Sequence, residues 1–97
     1  MRPLFVQIKC QLGEAGKVAD AILDTLEEIS EVYSTSGNYD LLAKFAIDET
    51  KSIPDFINNK LHKIPGIRDT YTIIAFRIGG GTDSPDFGVS DPPPVKR

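Results

Sequence analysis

The order in which the hydrophobic period changes along this chain restricts its fold more than any other sequence feature. Every second residue from 4 to 10 is apolar, which is the period of a β-strand. Between residues 14 and 29 the apolar positions instead recur three or four apart, which predicts an amphipathic helix with a solvated acidic face. The chain therefore begins with a strand that is followed by a helix.

The next part of the chain predicts a hairpin, a second helix and a last strand. Residues 32–36 and 41–47 indicate two strands joined by a tight turn at Gly37-Asn38, because glycine takes positive φ without steric cost and asparagine tolerates it. Ser52 is suited to cap a helix that ends by residues 63–64, since Pro65-Gly66 cannot continue it. Residues 67–78 predict the final strand.

The resulting order, β-α-β-β-α-β, is typical of the ferredoxin-like α+β sandwich, in which two helices lie on one face of a four-stranded antiparallel sheet. Residues 41–47 and 73–76 are largely apolar at successive positions, so both faces of those strands favour burial. Because the helices cover one face only, we expect a homodimer formed through the other face of the sheet.

Composition excludes several classes of function. The 14 acidic and 11 basic residues are interspersed and give a net charge of −3, so no positive face predicts nucleic-acid binding. The single cysteine excludes an internal disulfide and a multi-cysteine zinc site. No apolar run approaches the roughly 20 residues of a membrane span. We therefore expect a cytoplasmic protein without a cofactor, a metal or a membrane partner.

The last part of the chain differs in composition from the rest. Residues 79–97 contain runs of three glycines and three prolines and few apolar side chains. Such a segment cannot bury enough surface to order itself. We therefore divide the chain into a domain at residues 3–78 and a flexible tail at residues 79–97.

Few residues suggest catalysis. His62 has no second ligand at metal-binding spacing, which favours a surface or helix-capping role, and Cys10 falls on the inward set of the first strand. An enzyme on this scaffold would need an acid–base group in a cleft. Only three side chains qualify: His62, Tyr39 and Asp40. The three tyrosines either line one cleft or fill interface area: Tyr33, Tyr39 and Tyr71.

A small polar binding site is the alternative to catalysis. Asp40 lies at the exit of the predicted hairpin, while Thr70 and Thr72 place two hydroxyls on alternate positions of the last strand. A free amino acid needs an acceptor for its ammonium group and donors for its carboxylate, and these side chains supply both. Two structural roles stay open: Asp40 can satisfy backbone amides of the turn, and the threonines can be ordinary β-branched strand residues.

Two motifs give the chain a family resemblance. The hairpin Gly37-x-Tyr39-Asp40-Leu-Leu and the strand Ile67-Arg-x-Thr70-x-Thr72, in this strand order, resemble the effector-binding (RAM) domain of the Lrp/AsnC transcription regulators over residues 4–77. The resemblance implies dimers that join into octamers and bind a free amino acid or a related small metabolite where dimers meet. The implied ligand-binding residues are Gly37, Asn38, Tyr39, Asp40, Thr70 and Thr72.

The chain departs from the family at its start, because the first strand begins almost at Met1 and no helix-turn-helix precedes it. The resemblance therefore implies a stand-alone sensor that does not bind DNA directly. It would act through ligand-dependent assembly or through a full-length Lrp/AsnC regulator. Two alternatives remain, a small ferredoxin-like enzyme and a purely structural oligomerisation domain.

Overall fold

A computed structural model describes residues 1–80. Four strands and two α-helices follow one another in the predicted order, with a short 3₁₀ turn before the last strand. They are β1 (Arg2–Cys10), α1 (Ala15–Thr25), β2 (Ile29–Ser34), β3 (Leu41–Ile47), α2 (Ile53–Asn59), the 3₁₀ turn (Leu61–Lys63) and β4 (Ile67–Ile74).

The four strands form one antiparallel sheet in the order β2-β3-β1-β4. This order, with two helices packed on one face, confirms the predicted ferredoxin-like fold. β1 is central, and its residue Ile8 lies opposite Leu41 of β3 and Thr70 of β4. The 35–40 loop before β3 and the beginning of β4 therefore lie at the same end of the sheet.

The hydrophobic core lies between the sheet and the helices. Alternate residues of β1 are buried, as its two-residue period predicts, and alternate residues of β3 are buried as well. Both sets pack with Val18 and Ile22 of α1. The rings of Phe45 and Phe56 meet edge to face with centroids 4.8 Å apart, which joins β3 to α2. This core fixes the strands that carry the candidate site.

The first helix is shorter than predicted. It ends at Thr25 instead of residue 29, because Leu26 has extended backbone angles and Ile29 already belongs to β2. The amide of Ala46 donates to the carbonyl oxygen of Glu28 at 2.9 Å, which draws this turn into the edge of the sheet. Leu26 is still buried, so the turn continues the helical spacing of apolar residues without being helical.

The predicted tight turn at Gly37-Asn38 is wrong. β2 ends at Ser34 and β3 begins at Leu41, so a six-residue loop joins them. The amide of Thr35 donates to the carbonyl oxygen of Asp40 at 3.0 Å and closes the loop, in which Gly37 adopts φ +104°. The positive φ expected at Gly37 is therefore present in a wider connection.

The second helix begins as predicted, since the Ser52 hydroxyl oxygen accepts a hydrogen bond from the Asp55 amide at 3.3 Å. It ends at Asn59, earlier than predicted, and the chain continues as the 3₁₀ turn.

The last strand also ends earlier than predicted, at Ile74 instead of residue 78. The last β1–β4 pair joins Leu4 to Ile74, and the next residue of β1, Pro3, has no amide hydrogen to extend the ladder. The side chains of Phe76 and Ile78 beyond it are 79% and 101% exposed.

The face of the sheet away from the helices is uncovered in one subunit. Leu42 and Ala46 of β3 are half-buried, although the alternate residues beside them are fully buried. The exposed side chains on the same face include Tyr33, Tyr71 and Ile73. The sheet thus has the uncovered apolar face from which the sequence analysis predicted a homodimer. The dimer itself stays a prediction.

Most of the predicted tail, residues 81–97, lies outside the described residues, so the division at residue 79 stays a prediction. Across residues 1–80, neither helix has the length and apolar character that crossing a membrane requires.

Candidate functional site

Asp40 makes two hydrogen bonds that connect the 35–40 loop to β1 and a third that closes the loop itself. Its amide donates to the carbonyl oxygen of Ile8 at 2.9 Å, and its own carbonyl oxygen accepts from Thr35. Its carboxylate oxygen Oδ2 accepts a hydrogen bond from the amide of Cys10 at 2.8 Å. Asp40 therefore does satisfy a backbone amide, but on the neighbouring strand instead of within the turn.

This bond has a local cause in the sheet. The β1–β3 ladder ends at the pair Ile8 and Leu41, so Cys10 has no β3 residue opposite it. The Asp40 carboxylate extends the ladder by one acceptor. The other carboxylate oxygen, Oδ1, receives no hydrogen bond from the part of the chain that the structure describes, and Asp40 as a residue is half-buried.

The rest of the loop is held from two sides. The Lys9 ammonium group donates to the carbonyl oxygen of Asn38 at 2.9 Å, and the Thr35 hydroxyl donates to the carbonyl oxygen of Tyr39 at 3.0 Å. The ring of Tyr39 lies near that of Tyr71 on β4, with centroids 6.5 Å apart. Of the three tyrosines, Tyr39 and Tyr71 thus meet across β1.

Thr70 lies on the other side of β1. Its hydroxyl is 2.8 Å from Nε2 of His62, in hydrogen-bond contact, and its amide donates to the Asp69 carboxylate at 2.9 Å. Thr70 itself is half-buried, whereas His62 is exposed on the 3₁₀ turn. The hydroxyl and the imidazole form a small polar group at the beginning of β4.

Thr72 lies two residues further along β4, opposite Val6, and is half-buried. Since neighbouring strands are about 4.8 Å apart, β3 and β4 are separated by roughly 10 Å across β1. The structure therefore brings Asp40 and Thr70 to one end of the sheet, on either side of β1. Thr72 lies nearer to the middle of the sheet.

Cys10 is buried, as its inward position predicted. Burial raises the pKa of its thiol above the ordinary value of 9.0, and the negative charge of Asp40 raises it further. The thiol is therefore protonated at neutral pH, which suits a core residue better than a nucleophile.

Sequence reasoning did not foresee two contacts at this end of the sheet. His62 is exposed, as predicted, and it also contacts Thr70, while Lys9, to which the sequence assigned no role, holds the loop at Asn38. Only the single occurrence of histidine singled out His62 in the sequence. Among residues 1–80, no cluster of three or more histidine, cysteine or acidic side chains is placed to hold a metal ion.

A ferredoxin-like sheet with a polar loop at one end and one face left uncovered by the helices defines a small α+β domain. The chain belongs to the Lrp/AsnC ligand binding domain family, whose family model matches residues 4–78. This family is found in transcription regulators rather than in enzymes.

Similar proteins agree with that membership. The HTH-type transcriptional regulator FL11 of Pyrococcus abyssi is 33% identical over 73 residues, which cover 75% of this chain and 47% of that protein. The chain in the crystal structure of FFRP-DM1 has 33% sequence identity to this chain and superposes on it with a TM-score of 0.72. The match covers 78% of this chain and 100% of that one. This chain thus spans about half the length of the curated relatives it matches.

A more distant structure shows the same fold. The transcriptional regulator NMB0573 of Neisseria meningitidis, solved in complex with L-Met, superposes with a TM-score of 0.71 at 15% identity. The match covers 86% of this chain and 55% of that one.

Proposed function

We propose that this domain is a non-enzymatic sensor that binds a free amino acid, or a related small metabolite, at the end of the sheet between the 35–40 loop and the beginning of β4. Binding changes its self-association or its contact with a partner regulator, and through them transcription or metabolism. The observation that carries this proposal is the arrangement of Asp40, whose Oδ2 is fixed on Cys10 while Oδ1 receives no hydrogen bond within residues 1–80.

The acidic side of the site supports recognition of an ammonium group. A charge-assisted bond from an ammonium to a carboxylate is about twice as strong as a neutral hydrogen bond. Asp40 is already held in place by its bond to Cys10, so its side chain loses little further conformational freedom when a ligand binds. Tyr39 and Gly37 lie in the same loop and complete this side of the proposed site.

The other side supports recognition of a carboxylate. The Thr70 hydroxyl and Nε2 of His62 share one hydrogen bond, so the pair keeps at least one donor for a ligand carboxylate, either the Thr70 hydroxyl or the Nδ1–H of His62. Thr72 adds a further hydroxyl. Since β1 separates the two sides, we propose that the ligand lies over the end of β1 with Asp40 and Thr70 at opposite ends of it. The backbone amides of Gly37 and Asn38 add donors from the loop.

Assembly forms the second half of the proposal. The uncovered face of the sheet supports a homodimer, and further contacts at the loop end would build a larger ring such as an octamer. The relatives are transcription regulators, so a full-length Lrp/AsnC regulator is the partner we propose. Direct DNA binding is not part of the proposed role, because the acidic and basic residues are interspersed.

The test combines calorimetric titration and native mass measured by light scattering, with each of the twenty amino acids. The informative variant is Asp40→Asn, because asparagine keeps an oxygen acceptor for the Cys10 amide and removes the charge that an ammonium needs. Asp24→Asn on α1 removes the same charge from an exposed position and serves as the matched control.

We expect saturable heat for at least one amino acid, a change of native mass with it, and loss of both in Asp40→Asn but not in Asp24→Asn. If the protein is an oligomer but gives no heat of binding with any amino acid, the proposed sensing site is wrong and a purely structural assembly domain is favoured. Binding that persists in Asp40→Asn would move the site away from this loop.

A further inference from the structure

The apolar end of β4 has no cover within residues 1–80. The side chains of Ile74, Phe76 and Ile78 are 51%, 79% and 101% exposed, although all three are large and hydrophobic. They alternate in sequence, and Ile74 lies opposite Leu4, which is buried in the core. In an extended chain, residues two positions apart share a face. The three residues therefore prolong the helix-bearing face of the sheet as an exposed apolar row.

The outer edge of β4 is open as well. β4 is the last strand in the order β2-β3-β1-β4, so within residues 1–80 it pairs with β1 on one side only. Residues 70–74 contain no charge and no proline, which are the features that natural edge strands use to prevent further pairing. The other edge strand, β2, has an irregularity between Ile29 and the charged Glu31. β4 is therefore the edge that is suited to a further strand.

The chain turns towards this open edge where the described part ends. The structure describes the chain as far as Gly80, two positions beyond Ile78, and Gly80 has φ +74°. Positive φ at the first of two glycines suits a two-residue hairpin turn at Gly80-Gly81. β4 has 8 residues, so residues 81–97 are long enough to return along it.

The sequence after the turn matches the exposed row of β4. Every second residue from 85 to 89 is apolar, with no other apolar residue between them except a glycine. A turn at Gly80-Gly81 brings these residues to the same face as the exposed row. The resulting neighbours are Phe76 with Pro85, Ile74 with Phe87, and Thr72 with Val89. A register shifted by one residue would place Asp86 beside Ile74 and lose this match.

We propose that residues 82–89 form a fifth strand, antiparallel to β4 and hydrogen-bonded to its open edge, with Phe87 covering Ile74. The segment has too few apolar side chains to order itself, but along β4 its backbone groups gain partners. A two-residue connection holds it beside its own β4 at a high effective concentration, which favours it over a second copy of the chain. An outermost strand also accommodates Pro85, because a proline nitrogen that faces solvent leaves no gap in the ladder.

The proposed strand leads to the amino-acid site. In the same register Asp91 lies beside Thr70, whose hydroxyl is in hydrogen-bond contact with His62. The Asp91 carboxylate can accept from the donors that are proposed for the ligand carboxylate, so the tail competes with the ligand. This consequence rests on the proposed function, whereas the strand itself does not.

The test is NMR spectroscopy of the full chain labelled with ¹³C and ¹⁵N, without any amino acid. We expect nuclear Overhauser contacts between the Phe87 ring and the Ile74 methyl groups. Alternate amides within residues 83–89 should exchange at least about tenfold more slowly than those of residues 95–97, after correction for intrinsic rates. Unprotected amides throughout residues 83–89, without contacts to Ile74, would overturn the proposal.

A mixture of labelled and unlabelled chains shows where the strand comes from. Contacts between Phe87 and Ile74 should lie within one chain and be missing from spectra that select contacts between labelled and unlabelled copies. Contacts found only between copies would overturn the proposal, because the strand would then belong to a second copy.

Three variants test the register and the turn. Phe87→Lys and Val95→Lys add the same charge to the same tail, but only the first lies on the proposed strand. Phe87→Lys should abolish the protection of residues 83–89 and keep that of β1 and β3, and Val95→Lys should keep both. Gly80→Pro fixes φ near about −65° and should act as Phe87→Lys does. Protection that survives in both Phe87→Lys and Gly80→Pro would contradict the strand.

The competition at Thr70 has its own readout. Asp91→Asn should strengthen amino-acid binding by up to about tenfold, because strand formation would otherwise leave about a tenth of the molecules open to the ligand. Unchanged affinity would refute the competition. The NMR measurements contain no ligand, so the strand is judged separately from the proposed sensing function.

Discussion

The Asp40 carboxylate extends the central ladder of the sheet by accepting the amide of Cys10 at 2.8 Å, a bond between residues that lie 30 positions apart. It therefore joins the loop after β2 to the end of β1. The same carboxylate is the acceptor proposed for a ligand ammonium group, so Asp40 affects both the stability of the fold and the proposed binding. Substitutions that separate these two roles are the most informative.

Asp40→Ala should lower the free energy of unfolding by about 1–3 kcal/mol, because it leaves the buried amide of Cys10 without an acceptor. Asp40→Asn should cost clearly less, since its side-chain oxygen can accept the same bond. Urea unfolding followed by circular dichroism measures both. Equal losses in the two variants would show that charge, not the hydrogen bond, is what matters here.

The Cys10 thiol should make stability depend on pH in the alkaline range. Its pKa is raised by burial, and secondarily by Asp40, so the unfolded chain ionises at a lower pH than the folded one. The contribution is complete below the ordinary pKa of 9.0 and is lost as the pH rises above it. Urea unfolding between neutral and alkaline pH measures this, and Cys10→Ala should flatten that part of the profile.

Gly66 and Gly16 should respond to alanine with opposite signs. Gly66 has φ +95°, and a Cβ there would lie 2.9 Å from Cγ2 of the buried Val18, so Gly66→Ala should cost about 1–3 kcal/mol. Gly16 is in α1 with open space around it, so Gly16→Ala should stabilise by about 0.4–1 kcal/mol. Thermal unfolding compares the two: an unchanged or raised stability of Gly66→Ala would contradict the account of Gly66, and a loss in Gly16→Ala would contradict that of Gly16.

The sequence predicted the fold because most of its determinants are local. A strand with one buried face shows a two-residue period in the sequence, as β1 does, and Ser52 marks a helix start by its position before proline. The end of α1 was not predictable in this way, because Leu26 is buried from a turn while keeping the helical spacing.

The site was predictable only in part, for a different physical reason. The residue types at Asp40 and Thr70 indicated a polar site, but their partners lie on other elements. The pairs Asp40 with Cys10 and Glu28 with Lys60 join residues 30 and 32 positions apart, and no local pattern records them. The strand order was needed to show that β1 separates Asp40 from Thr70.

The Glu28–Lys60 pair should contribute little to stability despite its distance of 2.6 Å. The Lys60 side chain is 41% exposed, so a double-mutant cycle with Glu28→Gln and Lys60→Met should give a coupling of about 0.2–1 kcal/mol. The hydrogen bond to Glu28 raises the pKa of Lys60, so this contribution is present at neutral pH and is lost as the pH rises through that pKa. Measured in urea unfolding, the coupling should shrink further in concentrated salt; an undiminished value there would mean that the pair is better shielded from solvent than its exposure indicates.

The uncovered face of the sheet should control self-association. Ile73 is 40% exposed and pairs with Phe5 of β1, whose ring lies 5.9 Å from the Lys44 ammonium group. Ile73→Lys places a charge where an interface core excludes one, so the dimer dissociation constant should rise at least about tenfold, equivalent to roughly 1.4 kcal/mol. Leu12→Lys, at a fully exposed position before α1, is the matched control and should keep the native mass of the unaltered chain. Light scattering across a dilution series distinguishes the two, and an unchanged mass in Ile73→Lys would mean that copies of this chain meet through another surface.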